Sequence, residues 1–145
     1  MRCLRLGLVI DFDGTISEIT RTPDSAVISP GCGQVLTALS CKLTAVAIVS
    51  GRSVDDVRRK AGIDDIVYAG QHGAEYLGRA GQYLAHDATR YRTLILAVFE
   101  YLRSRVTLPN LVWQDKGLSA SVHFREVPDA QEARRLLENA MASAP

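Results

Sequence analysis

Residues 9–17 read VIDFDGTIS, with two carboxylates, Asp11 and Asp13, one residue apart where a strongly apolar segment stops. Two negative charges so placed repel each other and lose hydration, so something must compensate. Leu4 to Ile10 is a short apolar run without helical period, bounded by Asp-Phe-Asp-Gly, which predicts a buried strand of a parallel sheet. Side chains at i and i+2 of an extended segment point the same way, so Asp11 and Asp13 converge beyond the strand's carboxyl end, where open α/β sheets bind ligands. A hard divalent cation answers the cost: Mg²⁺ takes oxygen ligands, typically one or two carboxylates with substrate phosphate and water. Gly14-Thr15 lets the backbone turn and aim its N–H groups at a phosphate. One carboxylate can attack phosphorus to give an aspartyl-phosphate, while the other protonates the leaving alcohol and later activates water. The same residues also suit a plainer arrangement, with Asp13-Gly14 a simple turn and Asp11 a solvated strand end.

Outward from this stretch the chain alternates. Pro30 to Lys42 carries Val35, Leu36 and Leu39 at helical spacing, and Ala45-Val46-Ala47-Ile48-Val49 is a second apolar strand closed by Ser50-Gly51-Arg52. Ser53-Val54-Asp55-Asp56 reads as a helix start, with Ser53 at the N-cap and an acid three residues on. Ile66-Val67-Tyr68 is a third short strand, followed by the loop Gly70-Gln71-His72-Gly73. Strand, helix, strand, helix, strand is the pattern of βαβ units and a parallel sheet. Ser50 then stands beside the end of the first strand. Its hydroxyl, Gly51 and the helix start at Ser53 make an anion pocket of N–H groups and helix dipole, and Arg52 adds a positive fork suited to phosphate.

The pattern changes near Gly78. Asp87 to Arg105 predicts a long amphipathic helix. Leu111 to Gln114 and Leu118 to Phe124 predict two strands joined at Asp115-Lys116-Gly117. Pro128 is expected to open a last helix running to about Met141. The expected organisation is an α/β, Rossmann-like parallel core, partial, over residues 1–77 and an α+β cap segment with an antiparallel hairpin over 78–145. No internal repeat or low-complexity tract is present.

Composition narrows the function. Seventeen basic and sixteen acidic residues leave a net charge of +1, which gives no electrostatic ground for binding nucleic acid or an anionic membrane. Cys3, Cys32 and Cys41 form no C-x-x-C pair and have no histidine at zinc spacing, so reduced thiols in a cytoplasmic protein are expected. The opening MRCLRLGLVI has the basic-then-apolar order of a signal peptide, but the run is short and meets Asp11 without a small-residue cleavage site, so it reads as a strand. No stretch is long enough to span a bilayer.

D-F-D-G-T, then A-I-V-S-G-R-S, then A-G-Q-H-G-A-E resembles the haloacid dehalogenase-like phosphatases and, more narrowly, the trehalose-6-phosphate phosphatase family, along essentially the whole chain. The resemblance implies Asp11 as nucleophile and Mg²⁺ ligand. It implies Asp13 as general acid/base with its main-chain carbonyl on the metal, Ser50 on the transferring phosphoryl group, and Arg52 lining the site. The stretch WQDKGLSASVHFR (113–125) resembles the family's cap strands, where an E-x-K pair and an H-Y-R tripeptide grip the sugar. Leu118, Ala120, Val122 and Phe124 alternate with Ser119, Ser121, His123 and Arg125, giving one apolar and one hydrogen-bonding face. That polar face suits a sugar and equally suits solvent. With the family in view, Gln114, Lys116, Ser121, His123 and Arg125 are the expected sugar contacts, Gln114 standing where the family has Glu. His72 belongs to a loop that the resemblance turns toward the site, or caps a strand end. His86 has no partner in the sequence, and Trp113 and Tyr101 suit packing between hairpin and helix.

The resemblance also implies a later lysine that restrains the nucleophile and an acidic G-D-D-type loop that completes the magnesium shell, and this chain reaches Ser143-Ala144-Pro145 without either. Asp64-Asp65 precedes the third strand and cannot substitute. The expectations are weak Mg²⁺ binding, very low or absent turnover, and an apolar first strand at a sheet edge that invites association. Two functions are therefore carried: a Mg²⁺-dependent phosphatase acting on trehalose 6-phosphate or another sugar phosphate, and a silent fragment or binding module that keeps the phosphate pocket.

Overall fold

The apolar segment before Asp11 becomes a sheet edge. The computed structural model describes residues 5–144; Cys3 and Leu4 lie outside them. Strand β1 (Gly7–Asp11) pairs in parallel with β2 (Ala45–Val49), and β2 in parallel with β3 (Val67–Gly70). Two more strands, β4 (Glu75–Gly78) and β5 (Gly81–Leu84), continue the sheet antiparallel, in the order β1-β2-β3-β4-β5. The crossovers are helices α1 (Cys32–Ser40) and α2 (Val54–Ala61). Helix α2 is locally well specified. The Ser53 side chain accepts the Asp56 N–H, acidic residues fill the first turn and basic ones the last, and Gly62 closes it in the left-handed region at φ 63°.

The core lies on one face of this sheet. Val46, Ile48 and Tyr68 from the strands, Leu36 from α1, and Val54, Val57 and Ala61 from α2 are buried together with Phe12. The spacing of the three α2 residues places them on one stripe. The opposite face is more open, with Val9 71% exposed; Leu6, just before the strand, is 61% exposed. A continuous apolar run predicts a strand covered on both faces, so the exposure of β1 corrects that expectation. The described residues supply helices to one face of the sheet and no strand beyond β1.

The chain divides into two compact units, Met1–Ala85 and His86–Pro145. The division falls beyond the turn at Gly78 expected to mark it, because the Gly78–Gly81 turn joins β4 to β5 as a hairpin of the first sheet. Tyr76 and Tyr83, directly opposed on that hairpin, stack at 4.7 Å between ring centroids.

The second unit holds α3 (Arg92–Arg105), the two-stranded antiparallel sheet β6 (Val112–Asp115) and β7 (Ala120–His123), and α4 (Ala130–Ala142). Helix α3 begins later than the periodicity predicts, after a 3₁₀ turn at Thr89–Tyr91. Pro128 does not open α4. Asp129 caps it, its Oδ1 accepting the N–H groups of Gln131 and Glu132, so the proline lies outside the first turn. Trp113 packs edge-on against Phe99 of α3, with centroids 5.5 Å apart, as expected of a hairpin-to-helix contact. Tyr101 instead lies under the Arg105 guanidinium on its own helix. Arg92 at the start of α3 grips Asp115 at the end of β6 through two hydrogen bonds of 2.6 Å each. Cys32 and Cys41 carry free thiols, and no described helix is long and apolar enough to cross a membrane.

Two predictions follow from this packing. Phe12 is 0% exposed between two exposed aspartates, so Phe12→Ala should cost about 3–5 kcal/mol in urea-unfolding free energy. For Asp115, the Arg92 hydrogen bonds and then the Gly117 N–H hold the carboxyl below its ordinary range. A depressed acid contributes its stability above its unfolded value and loses it as pH falls through the folded one. Asp115→Asn should therefore lower Tm at neutral pH, and the Tm difference from the native chain should shrink on acidification into and below the aspartate range.

Candidate phosphoryl-transfer site

Parallel register sets the site. Asp11 stands opposite Val49, so Ser50 follows at the same, carboxyl end of the sheet. Phe12 faces the core, while Asp11 and Asp13 on either side of it face out. The two acids are thus displayed by one buried aromatic ring. The turn after them is self-contained: Gly14, at φ 82°, donates its N–H to Ser17 O at 2.7 Å, and Thr15 donates its N–H to Phe12 O at 3.4 Å. Both amides are engaged within the turn, which differs from the expectation that they point at a phosphate. The Thr15 hydroxyl instead approaches Asp11 Oδ2 at 3.5 Å.

Arg52 connects the two strand ends. Its Nε donates to both Asp13 oxygens, at 3.2 and 2.9 Å, and Nη2 donates to Oδ1 at 2.8 Å. Nη1 donates to Asp56 Oδ2 at 2.9 Å, and the guanidinium carbon lies 5.7 Å from the Phe12 ring centroid. Burial pulls the guanidinium's pKa down, but the hydrogen bonds and charges of Asp13 and Asp56 outweigh it and leave the group above the ordinary arginine value. What compensates the crowded carboxylates is thus in part an arginine fork. The expected fork for phosphate is spent on Asp13.

Ser50 is buried, and its hydroxyl oxygen accepts the Arg52 N–H at 3.1 Å, which leaves its proton to donate. The start of α2 is also less open than the motif implies. Glu75, reaching from β4, accepts the Val54 N–H at 2.7 Å, and Ser53 accepts the Asp56 N–H at 3.2 Å. A carboxylate of the chain itself thus occupies the anion position that a helix start offers.

The loop after β3 is pinned to the same place. Gln71 N–H donates to Arg52 O at 2.7 Å and His72 N–H to Ser50 O at 3.1 Å. Gly70 has no alternative, since a Cβ there would lie 2.5 Å from Val54 N and 2.8 Å from Arg52 O. Gln71 and His72 sit consecutively at φ 51° and 57°, a conformation that costs side-chain-bearing residues on the order of 1–3 kcal/mol each.

In the second unit, register places Gln114 opposite Ser121 and Val112 opposite His123, so these side chains share one hairpin face. Gln114 Oε1 lies 3.1 Å from His123 Nε2. Lys116 is in the connecting loop, its N–H bonded to Ser119 O, and Arg125 lies past the end of β7, exposed.

Sequence patterns leave Asp56 and Glu75 unassigned. Asp56 is foreseen only as half of a capping box, yet its carboxylate receives Arg52 and Arg59; the Arg52/Asp56 spacing of four is the available signal. Glu75 has no local signal, because its bond to Val54 depends on how β4 folds back.

Metal ligation rests on little. Among the described residues, no group of three or more His, Cys, Asp or Glu is arranged to hold a metal ion. What remains is the exposed Asp11 carboxylate and the Asp13 main-chain carbonyl. Both are hard oxygen donors, suited to a Mg²⁺ that keeps most of its water.

This fold is that of the haloacid dehalogenase-like hydrolases. More narrowly, the profile of the trehalose-phosphatase family matches residues 9–144, and the chain belongs to that family. Over 117 residues it is 34% identical to the trehalose-phosphate phosphatase of Mycobacterium tuberculosis, covering 79% of this chain and 30% of that protein. A solved trehalose-6-phosphate phosphatase related protein superposes with a TM-score of 0.79 at 22% identity, over 95% of this chain and 61% of its own. The C-terminal domain of the Candida albicans trehalose-6-phosphate phosphatase gives 0.77 at 20% identity, over 94% and 48%. The chain thus spans about a third of the curated relative's length.

Arg52→Ala should destabilise the first unit by about 2 kcal/mol, less than the 3–5 of a fully buried pair because the Asp13 side chain is 43% exposed. A double-mutant cycle with Asp13→Asn, read by denaturant unfolding, should return a favourable coupling between the two residues.

Proposed function

We propose that this chain carries the phosphoryl-handling part of a phosphatase acting on trehalose 6-phosphate. The observation that carries the proposal is the parallel register of Asp11 with Val49, which brings the acid pair and the Ser50-Gly51-Arg52 loop to one end of the sheet.

In this mechanism the Asp11 carboxylate attacks phosphorus and the bond from phosphorus to the sugar oxygen breaks, leaving an aspartyl-phosphate. Asp13 gives its proton to the departing sugar oxygen, then takes one from the water that hydrolyses the acyl phosphate. Ser50 donates its hydroxyl proton to a phosphoryl oxygen. Arg52 holds Asp13 in place, and proton donation requires that it release one Asp13 oxygen; an arriving phosphate competes for the same guanidinium donors. Asp11 and the Asp13 carbonyl would hold Mg²⁺, whose charge would offset that of the phosphoryl oxygens. Gln114, Lys116, Ser121, His123 and Arg125 are proposed to meet the sugar hydroxyls. With so few metal ligands, turnover by this chain alone is slow.

A second reading is favoured by the same fork. With both Asp13 oxygens taken by Arg52 and the Gly14 and Thr15 amides engaged within their turn, the chain suits a module that binds phosphate without hydrolysing it. The open β1 edge is proposed as a place where further strand pairing occurs.

Single-turnover incubation at high protein concentration separates the two. Slow Mg²⁺-dependent phosphate release from trehalose 6-phosphate is expected, reduced at least ~100-fold in Asp11→Asn. Orthophosphate binding with no release in the native chain would support the module, and release undiminished in Asp11→Asn would overturn the proposed role of Asp11.

A further inference from the structure

His72 is exposed, yet its position is closely determined. Its own N–H and that of Gln71 are bonded to Ser50 O and Arg52 O, and His72 adopts a left-handed conformation, φ 57° and ψ 32°, next to Gln71 in the same region. Few side-chain-bearing residues adopt that conformation, histidine among the more tolerant, and here two adopt it in succession. The imidazole lies on Gly51. A side chain at position 51 would place its Cβ 2.7 Å from His72 Cε1 and 2.8 Å from Nε2, so the ring fills the space that only a glycine leaves. Gly51 itself lies between Ser50 and Arg52. Strain at a solvent-facing histidine, held over a glycine that must stay bare, is what functional positions carry and packing positions avoid.

From this we infer that the His72 imidazole is a direct ligand of the phosphoryl group, donating a ring N–H to an oxygen of a phosphate monoester beside the Ser50 hydroxyl. The inference rests on the proposed use of Ser50 and its loop for phosphate. It gives the Gly70–Gly73 loop a task, delivering a donor from β3 to the ends of β1 and β2. It also explains why position 51 is glycine, since any Cβ would displace the ring from its place.

Orthophosphate titrated into the ¹⁵N-histidine-labelled chain tests this directly, with the imidazole nitrogens and the Ser50 and Arg52 amides observed together. A saturable shift of the His72 ring nitrogens, with the same Kd as the two amides, is expected. His72→Phe and Gly51→Ala should each weaken phosphate binding about tenfold, the loss of one hydrogen bond to a charged ligand, and His72→Gln should recover part of it. If the Ser50 and Arg52 amides titrate while the His72 ring stays unmoved and His72→Phe binds as the native chain does, the inference fails and the phosphate pocket stands. If none of these groups responds, both fail. The ring titration uses the unsubstituted chain, so it decides the matter even if a variant does not fold.

Discussion

A single guanidinium holds the candidate site together. Arg52 has a side chain only 9% exposed, and its donors reach Asp13, thirty-nine residues away, and Asp56, one helical turn away. Remove it and the Asp13 carboxylate loses its guanidinium partner, while Asp56 keeps only the exposed Arg59. Arg52's own burial would be costly without them. Each partner's placement is therefore a condition of the other's, and the ends of β1, β2 and α2 are fixed as one group. Phe12 supports the arrangement from below, its buried ring beneath the arginine and its flanking acids turned out.

Around this group the structure spends polar groups on itself. Gly14 and Thr15 close their own turn, Glu75 takes the first amide of α2, and Ser50 receives the Arg52 N–H. A phosphate bound here as proposed would draw on groups that can be shared or released, among them the Ser50 hydroxyl proton and the Arg52 fork. Under the proposed mechanism such a site would bind an anion by exchanging partners, and Asp13 would be freed as the anion arrives. That exchange would couple substrate presence to proton donation without any large movement of the backbone.

The parallel core was legible in the sequence because its signals are local. Val46 and Ile48 in an unbroken apolar run and Ser53 before two acids each carry their own instruction. Strands β4 and β5 were not, because Glu75–Gly78 and Gly81–Leu84 are short and flank a glycine turn that looks like a linker. Their pairing depends on a partner strand, β3, that no local pattern names. The same distinction separates the site residues. Asp11, Asp13, Ser50 and Arg52 announce themselves by type and position at strand ends, whereas Glu75 acquires its role only through tertiary folding, and the ionic roles of Arg52 and Asp56 only through each other.

The open side of β1 follows from the same logic of incomplete cover. A run from Leu6 to Ile10 has the composition of an interior strand, yet Leu6 and Val9 face solvent and nothing among the described residues pairs beyond β1. Composition of that kind is selected where both faces and both edges are occupied, since an exposed apolar edge recruits other strands. The relatives that this chain matches extend well beyond the matched part. The residues of β1 are thus suited to a more complete sheet than the one the described residues form, and Asp11 stands at the end of that strand. Any added cover would exclude water from Asp11 and raise the electrostatic worth of every charge beside it, so the same packing step that protects the edge would also favour the role proposed for Asp11.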